Sequence, residues 1–167
     1  MIFSGLKRTD MLIKEVFKLK TKWISKKGES TLKANTFSRN HTVTIKGKGE
    51  PLKLSSAKIF KGDDTLYNPE DLLLSALSSC HMMSYFYVCS QKGVEVLSYE
   101  DKAKGFLEVD KHGKGQFIKV VLNLEIVVSH REMVALAESL HEQASELCFI
   151  ANSCSFPIEY QCVVSVK

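Results

Sequence analysis

Two cysteines, Cys80 and Cys148, are the residues of this chain whose surroundings point most directly to chemistry. Cys80 lies in an apolar stretch with helical patterning over residues 68–83, and Cys148 lies near the end of a second such stretch over residues 146–153. A cysteine buried within a helix usually serves as inert packing. Two such thiols on separate helices could instead form a redox pair that cycles between free thiols and a disulfide. The pattern alone leaves both interpretations open.

The predicted helix around Cys80 offers nothing that would activate its thiol. The helical neighbours three and four residues away are uncharged, namely Ala76, Leu77, Met83 and Ser84. The cysteine also lies about three turns from the start of the helix, whereas the helix dipole acts within the first turn. Because burial without a positive neighbour disfavours a thiolate, a reactive Cys80 requires a cation from another part of the chain.

The spacing of the cysteines and histidines does not indicate a metal site. Cys80, His81, His130, His141 and Cys148 are scattered, without a C-x₂-C or H-x₃-H pattern. The chain also lacks a Walker loop, a G-x-S-x-G motif and an HExxH motif. We therefore expect no metal and no cofactor.

The remaining cysteines have different interpretations. Cys89 follows Cys80 on the opposite face of the first predicted helix, which indicates a core position. Cys162 alternates with apolar residues in the last predicted strand and is also interpreted as core. Cys154 lies shortly after Cys148 and is an alternative disulfide partner.

Cysteine usage and hydropathy indicate a cytoplasmic protein. The five cysteines are an odd number without a dense framework, which is typical of a reducing compartment. The first ten residues carry Lys7 and Arg8 but no apolar segment, so we expect no signal peptide. No run of about 18 apolar residues predicts a membrane span.

The charge is distributed unevenly along the chain. The net charge is +4, but residues 1–61 carry a balance of +11 and residues 62–167 a balance of −7. A basic region can bind nucleic acid. Here Lys18, Lys20 and Lys22 alternate with other residues, as in a strand with one solvated face, and no aromatic interleaving accompanies them. We therefore expect a lysine-coated sheet and no nucleic-acid partner.

Local signals predict an N-terminal β region followed by a long helix. Period-two patterning predicts strands over Val16–Trp23 and His41–Lys46. The first helix begins after Asn68, a good N-cap, and ends at Gly93. It has almost no charged face over residues 72–90, which predicts a helix that is buried on all sides.

The second half of the chain predicts three strands and another helix. Strands over Ser98–Val109 and Gln116–Val128 flank a glycine-containing hairpin turn. The second helix begins with Ser129 and Glu132, which have the spacing of a capping box, and Ile158–Val166 alternates as a final strand. The order β-β-α-β-β-α-β, without an internal repeat or linker, predicts one α+β domain.

Two motifs in these helices resemble the OsmC/Ohr family, which comprises osmotically inducible protein C and the organic hydroperoxide resistance proteins. The first motif is Tyr67-Asn68-Pro69-Glu70-Asp71-Leu72-Leu73 followed by Ser79-Cys80-His81, and the second is Leu147-Cys148-Phe149-Ile150-Ala151-Asn152-Ser153. The resemblance covers residues 15–167. The Arg39-Asn40-His41 segment and the Ser-Cys-His triplet are closer to a less-characterised subgroup.

The resemblance implies an OsmC-like fold, in which antiparallel sheets wrap two long central helices and two chains form an intertwined homodimer. We accordingly expect a single domain over residues 1–167, with residues 1–14 as an N-terminal extension and Met11 as an alternative start.

The resemblance also implies a thiol peroxidase. The first-helix cysteine of the family is peroxidatic and the second-helix cysteine is resolving, and these roles map to Cys80 and Cys148. An arginine from the N-terminal sheet and the glutamate of the N-P-E motif complete the family's site. They map to Arg39 and Glu70.

The chemistry of the two charged residues agrees with these roles. A guanidinium stays charged when buried, so Arg39 would supply the cation that Cys80 lacks, and Glu70 can pair with it bidentately. Lys58 and Lys61 remain alternatives to the arginine. Ten helical residues rise about 15 Å, so Glu70 cannot touch Cys80 of its own chain in a continuous helix. We expect Glu70 to act through Arg39 or on the cysteine of a partner subunit.

The substrates implied by the resemblance are organic or fatty hydroperoxides, and the implied reductant is a dithiol, often on a lipoylated protein. The apolar side chains that would suit such a substrate, or that equally belong to a core, are Leu73, Leu77, Met83, Phe86 and Phe149. His81 could hydrogen-bond a thiolate or, as we favour, point elsewhere. Phe149 replaces the proline that commonly follows the second cysteine of the family.

Two other functions remain open. The first is a non-catalytic binder of an apolar ligand, which needs neither both thiols nor Arg39. The second is a slow thiol redox sensor, in which Cys80 oxidises without rapid turnover. The joint presence of Arg39, Glu70, Cys80 and Cys148 favours a catalyst over a simple binder.

Overall fold

The computed structural model describes residues 14–167, which divide into two compact units. The first unit runs to Leu66 and the second comprises residues 67–167. Arg8, Met11 and the rest of the predicted extension up to residue 13 lie outside the described residues. The expectation of a single domain over the whole chain stays a prediction.

The first unit contains a three-stranded antiparallel sheet. Its strands are β1 (Lys20–Lys22), β2 (His41–Thr44) and β3 (Leu52–Leu54), in that order across the sheet. The sequence predicts the first two strands, although β1 is shorter than the predicted segment. It does not predict β3, because a three-residue strand is too short to show an alternating pattern.

The second unit contains two helices and a four-stranded sheet. Its elements in chain order are α1 (Pro69–Lys92), β4 (Val96–Asp101), β5 (Lys104–Val109), β6 (Gly115–Val128), α2 (Val134–Leu147) and β7 (Ile158–Val166). The long strand β6 pairs antiparallel with β4 and β5 through different parts of its length. On its other edge it pairs with β7, which runs parallel to it. The α+β architecture with two helices is confirmed.

Two details of this sheet differ from the sequence prediction. The segment predicted as one strand over residues 98–109 forms β4 and β5, because the chain leaves β6 at Lys102 and Ala103 and returns to it further along. The sheet is also mixed rather than purely antiparallel, since the crossover through α2 brings β7 back in the same direction as β6.

The start and the end of α1 follow the predicted local signals. The Asn68 side chain accepts a hydrogen bond from the Asp71 backbone N–H, and the Asp71 carboxylate accepts one from the Asn68 backbone N–H. This reciprocal capping box satisfies two N–H groups that the helix leaves unpaired. Gly93 ends the helix with a left-handed φ of 71°, a conformation that costs glycine little.

The start of α2 differs from the prediction. Residues Arg131–Met133 form a short 3₁₀ turn, and α2 begins at Val134 without a side-chain cap. The Ser129 hydroxyl lies 2.8 Å from Nδ1 of His130, so it is engaged by the neighbouring imidazole and does not cap the helix. The predicted capping box with Glu132 therefore does not form.

The core of the second unit lies between β6 and one face of each helix. Inward-facing side chains of β6 alternate along the strand and are almost fully buried; they include Leu122, Leu124 and Ile126. The helices contribute Leu77 and Ala137, among others, to the same core. Burial of apolar area of this kind is the main favourable term in folding.

Only one face of α1 is buried, in contrast to the predicted burial on all sides. Met83 is 62% exposed, and Phe86 and Tyr87 also lie on the exposed face. Among the described residues, α1 is the one helix that is long and apolar enough to cross a membrane by length and composition. The core helix of a globular protein passes the same test, so this finding is weak evidence for a membrane span.

A buried polar chain joins α1, α2 and β7 inside this core. Nε2 of His81 lies 3.0 Å from Nδ1 of His141, and Nε2 of His141 lies 3.1 Å from Sγ of Cys162. The Tyr85 ring stacks on His141, with ring centroids 4.2 Å apart and an interplanar angle of 2°. His81 is fully buried and His141 is 6% exposed. These contacts connect residues 60 and 21 positions apart in the chain.

Burial makes both histidines neutral. It lowers the pKa of His81 from 6.5 to about 4, with a smaller contribution from the neighbouring His141, and it lowers the pKa of His141 to about 4. The cause is that a charged imidazolium loses its hydration inside the core. Both rings are therefore uncharged at neutral pH.

The free energy of unfolding is expected to fall as the pH drops from about 6.5 to about 4. Over this window unfolded histidines bind a proton and the folded pair does not, so the unfolded state binds more protons and acid favours it. The full effect is on the order of 3 kcal/mol for each histidine. Urea unfolding followed by circular dichroism at several pH values measures it.

The matched control is the double variant His81→Leu/His141→Leu, which lacks both titrating groups. Its free energy of unfolding is expected to depend less steeply on pH over the same window. Equal slopes in the wild type and the double variant would contradict the burial of a neutral histidine pair.

Candidate functional site

Cys80 and Cys148 lie next to one another where the two helices pack together. Cys80 is half-buried on α1, and Cys148 is fully buried at the C-terminal cap of α2. Both are free thiols, and Cys80 packs against the buried core cluster that contains Cys148. The fold therefore brings together the two cysteines that the sequence singles out.

The helical patterning predicted that Cys148 lies within the second helix. In the structure it lies just beyond the end of α2. Its backbone is extended, with φ −79° and ψ 102°, and its N–H donates to the Ser145 carbonyl. A 3₁₀ turn over Ala151–Ser153 follows, and the Ala151 backbone N–H points at the Cys148 sulfur at 3.4 Å. The chain thus wraps around the thiol immediately after the helix ends.

The Cys148 thiol is held in its protonated form. Burial raises its pKa to about 11, and the neighbouring Cys80 adds to this shift, whereas the hydrogen bond from Ala151 opposes it. The cause is the cost of placing a thiolate in the low-dielectric core. At neutral pH Cys148 is a thiol whose S–H can be donated to the adjacent sulfur.

Arg39 lies in the first unit, in the loop before β2. Its guanidinium donates to the carbonyl oxygens of Phe37 at 2.7 Å and Ala34 at 2.6 Å, and it stacks over the Phe37 ring at 4.1 Å. The assignment of Arg39 as the cation that serves Cys80 stays a prediction.

The two lysines named as alternatives both have local partners in the first unit. Lys58 forms an exposed ion pair with Asp64 at 2.8 Å, and Lys61 hydrogen-bonds to the Asn35 side chain. Exposed ion pairs contribute little stability, so neither contact would prevent a lysine from acting elsewhere.

Glu70 lies in the first turn of α1, which is continuous from Pro69 to Lys92. The ten residues between Glu70 and Cys80 therefore rise about 15 Å, and the carboxylate cannot reach the thiol of its own chain. Its Oε2 is buried and has no hydrogen-bond partner among the described residues. A buried carboxylate oxygen without a donor is costly, so Glu70 is a candidate for a cationic partner.

The side chains expected to suit a substrate fall into two groups. Leu77 and His81 are fully buried, so both belong to the core, and His81 hydrogen-bonds to His141. Leu73 is half-buried, and Met83, Phe86 and Phe149 are exposed, with Phe149 81% exposed. Contact of any of these residues with a substrate stays a prediction.

Tyr160 is a residue near the thiols that sequence reasoning did not identify. Its hydroxyl lies 2.8 Å from Oγ of Ser145, and its ring packs on His81 with centroids 4.5 Å apart. Burial raises its pKa, and the nearby thiols of Cys148, Cys154 and Cys80 contribute to the shift. Its position in alternating strand β7 indicated an inward side chain, but nothing in the sequence indicated its neighbours.

Cys162 and Cys154 are also thiols at rest. Burial raises the pKa of Cys162 to about 11, with a smaller contribution from Glu138, and burial also raises the pKa of Cys154. Within residues 14–167, no three His, Cys, Asp or Glu side chains converge on a point that could hold a metal ion. His81 hydrogen-bonds to His141, and His141 hydrogen-bonds to Cys162.

Comparisons with known proteins agree with this fold. The family model described as OsmC-like protein matches residues 62–162. An uncharacterised protein of Bacillus subtilis, YmaD, is 28% identical over 140 residues, which cover 81% of this chain and 93% of that protein.

Solved structures share the architecture. An OsmC-like protein from Vibrio cholerae is 29% identical, with a TM-score of 0.80 over 90% of this chain and 100% of that chain. An organic hydroperoxide resistance protein from Elizabethkingia anophelis is 20% identical, with a TM-score of 0.62 over 93% of this chain and 100% of that chain. At this lower identity the likeness shows the fold alone. The family match over most of the second unit, together with the shared fold, shows that the chain belongs to the OsmC-like protein family.

Proposed function

We propose that this protein is a thiol-dependent peroxidase that reduces organic hydroperoxides to alcohols through Cys80 and Cys148. The observation that carries the proposal is the closeness of these two thiols, which lie in one packed core where Cys80 contributes to the raised pKa of Cys148. Solved proteins with the same fold include organic hydroperoxide resistance proteins from Elizabethkingia anophelis and Legionella pneumophila. Membership of the family makes a related activity the natural expectation.

The proposed cycle has three steps. The Cys80 thiolate attacks a peroxide oxygen, the O–O bond breaks, and the alcohol leaves with a proton while Cys80 becomes a sulfenic acid. Cys148 then attacks the Cys80 sulfur as a thiolate, and the sulfenic oxygen leaves as water when the disulfide forms. An external dithiol reduces this disulfide with two electrons and becomes oxidised itself. A lipoylated protein is a suitable donor of this class.

Arg39 and Glu70 are proposed to support the first step. A guanidinium has five N–H donors, and two carbonyl contacts leave others for a thiolate or a carboxylate. Glu70 has a buried oxygen in need of a donor. We propose that Glu70 orients Arg39, and that the arginine stabilises the negative charge on the Cys80 sulfur and on the departing alkoxide.

A homodimer would complete the second unit. The exposed face of α1 carries Met83, Phe86 and Tyr87, and apolar patches of this kind mark interfaces or ligand sites. Coverage by a second copy would bury them and would form an apolar surround for the alkyl group of a hydroperoxide. We place the protein in the cytoplasm, where a reducing environment would keep its five cysteines free.

A slow thiol redox sensor is a second candidate function. The observation that favours it is the high pKa of Cys148, about 11, which keeps little resolving thiolate at neutral pH. In a sensor the oxidised form of Cys80 would persist, whereas in a peroxidase the disulfide would form and be reduced quickly.

Peroxide consumption with dihydrolipoamide as the dithiol tests the proposal. We expect catalytic turnover of tert-butyl hydroperoxide by the wild type and none by Cys80→Ser, because the attacking sulfur is lost. Cys148→Ser is expected to react once and to stop at the sulfenic acid. Arg39→Ala is expected to slow turnover about a hundredfold, and Arg39→Lys less.

The control is Arg131→Ala, which removes the exposed arginine before α2 and should leave the rate unchanged. Turnover that persists in Cys80→Ser would refute the peroxidase. A fast first oxidation without turnover would favour the sensor.

Disulfide closure is expected to accelerate with pH. Because the pKa of Cys148 is about 11, its thiolate fraction rises about tenfold for each pH unit below that value. Acid quenching followed by alkylation and mass spectrometry measures closure between about pH 7 and pH 9. A flat closure rate over this range would contradict attack by a free Cys148 thiolate.

A further inference from the structure

We infer that the hydrogen-bonded chain of His81, His141 and Cys162 sets the position of α1 along α2, and thereby holds Cys80 against Cys148. The two histidines act as positioning residues and do not touch the substrate. The inference deepens the proposed function, because the contact that the chain fixes is the one that closes the proposed disulfide.

The positions of the contacts support this role. His81 directly follows Cys80 on α1, while His141 lies on α2 and Cys148 lies at the C-terminal cap of the same helix. Further along α1, the Tyr85 hydroxyl donates to the Ala137 carbonyl at 3.1 Å. The helices α1 and α2 therefore pack antiparallel, and the hydrogen bonds of His81 and Tyr85 lie on the same interface as the two thiols.

Apart from the Tyr85–Ala137 hydrogen bond, the rest of this interface has no comparable specificity. It is made by apolar and small side chains such as Leu77, Ala137 and Ala144, whose contacts are not directional. Hydrogen bonds tolerate only small changes in distance and angle. A slip of one helical turn, about 5.4 Å, would break the His81–His141 bond. It would also take the thiols beyond the Cα separation of roughly 7 Å that a disulfide permits.

The protonation states decide which group donates in each hydrogen bond between His81, His141 and Cys162. Both imidazoles are neutral and Cys162 is a thiol. If the thiol donates to Nε2 of His141, then Nδ1–H of His141 donates to Nε2 of His81, and only Nδ1 of His81 is left without a partner. The reverse direction would leave both the Cys162 S–H and the His81 ring nitrogen without partners. The first arrangement satisfies more groups and is the one we assign.

The unpaired His81 nitrogen shows that stability alone does not explain the chain. A buried polar atom without a partner destabilises the fold, and replacing a buried polar pair by apolar residues is often neutral or stabilising. A polar chain kept in a core despite this cost is best explained by specificity. Its contacts specify one arrangement of α1, α2 and β7, and Tyr85 and Tyr160 pack against its rings from α1 and β7.

A titration with glutathione tests the inference without peroxide. The protein is equilibrated with mixtures of reduced and oxidised glutathione, and the fraction with a Cys80–Cys148 disulfide is measured by peptide mapping. This fraction gives the effective concentration of one thiol relative to the other. All proteins carry Cys154→Ser, so that Cys154 cannot compete for Cys148. The test variant is His81→Leu/His141→Leu, and its melting temperature is measured alongside.

The double variant is expected to be at least as thermally stable as its parent and to have an effective concentration about tenfold lower, because the bond that fixes the register is gone. The single variant His141→Asn, whose amide can still donate toward His81, is expected to have an effective concentration close to that of the parent. Leu140→Ala is the matched control, since it removes a neighbouring core side chain that takes no part in the hydrogen bonds between His81, His141 and Cys162. It should lower the melting temperature and leave the effective concentration within about threefold of the parent.

An effective concentration in the double variant within about twofold of the parent would overturn the inference. So would a fall in Leu140→Ala as large as in the double variant, or a parent protein that forms no Cys80–Cys148 disulfide. If the double variant does not fold, Cys162→Ala is titrated in its place, and an unchanged effective concentration there overturns the inference. If the wild type shows no peroxide turnover but the glutathione titration gives the expected result, the proposed function is refuted. The positioning role of the two histidines then still stands.

Discussion

The packing of α1 against α2 on strand β6 is the constraint on which the chemistry of this protein depends. Cys80 has no charged neighbour one turn away on α1, so its reactivity must come from what the fold brings beside it. The helix pair brings each cysteine to the other, and the burial that makes this packing stable also makes thiolates costly. The same core therefore brings the proposed redox pair together and makes thiolate formation costly there.

The two cysteines are held differently, and the difference suits the roles proposed for them. Cys148 is fully buried beyond the end of α2 and remains a thiol at neutral pH. Cys80 is half-buried in the middle of α1, so its thiol is the more accessible of the two. An asymmetric pair of this kind favours attack by one sulfur and resolution by the other, because the more accessible thiol meets the peroxide first.

Local signals in the sequence predicted the elements that carry strong sequence patterns. Asn68, Gly93 and the alternating strands were recognisable because capping and strand periodicity act over a few residues. The three-residue strand β3 was missed because it is too short to show a period. The Ser129 capping box failed because the hydroxyl found a closer partner in His130. The parallel pairing of β7 with β6 depends on a crossover and has no local signature.

The candidate site was predicted only in part, for a related reason. Cys80 and Cys148 stood out through their helical settings, and their roles came from the family resemblance. The His81–His141–Cys162 chain joins residues from three elements, so no short window of sequence contains it. The sequence showed His141 only as a histidine outside any metal-binding pattern, and so gave no sign of what it would contact.

The measurement that tests the central claim most directly is the location of the bond formed by one equivalent of tert-butyl hydroperoxide. The fully reduced protein is oxidised, alkylated and mapped by mass spectrometry across all five cysteines. The account predicts one new disulfide, between Cys80 and Cys148, formed faster with the organic peroxide than with hydrogen peroxide. A Cys80 that stays reduced, or a disulfide between Cys148 and Cys154, would contradict it.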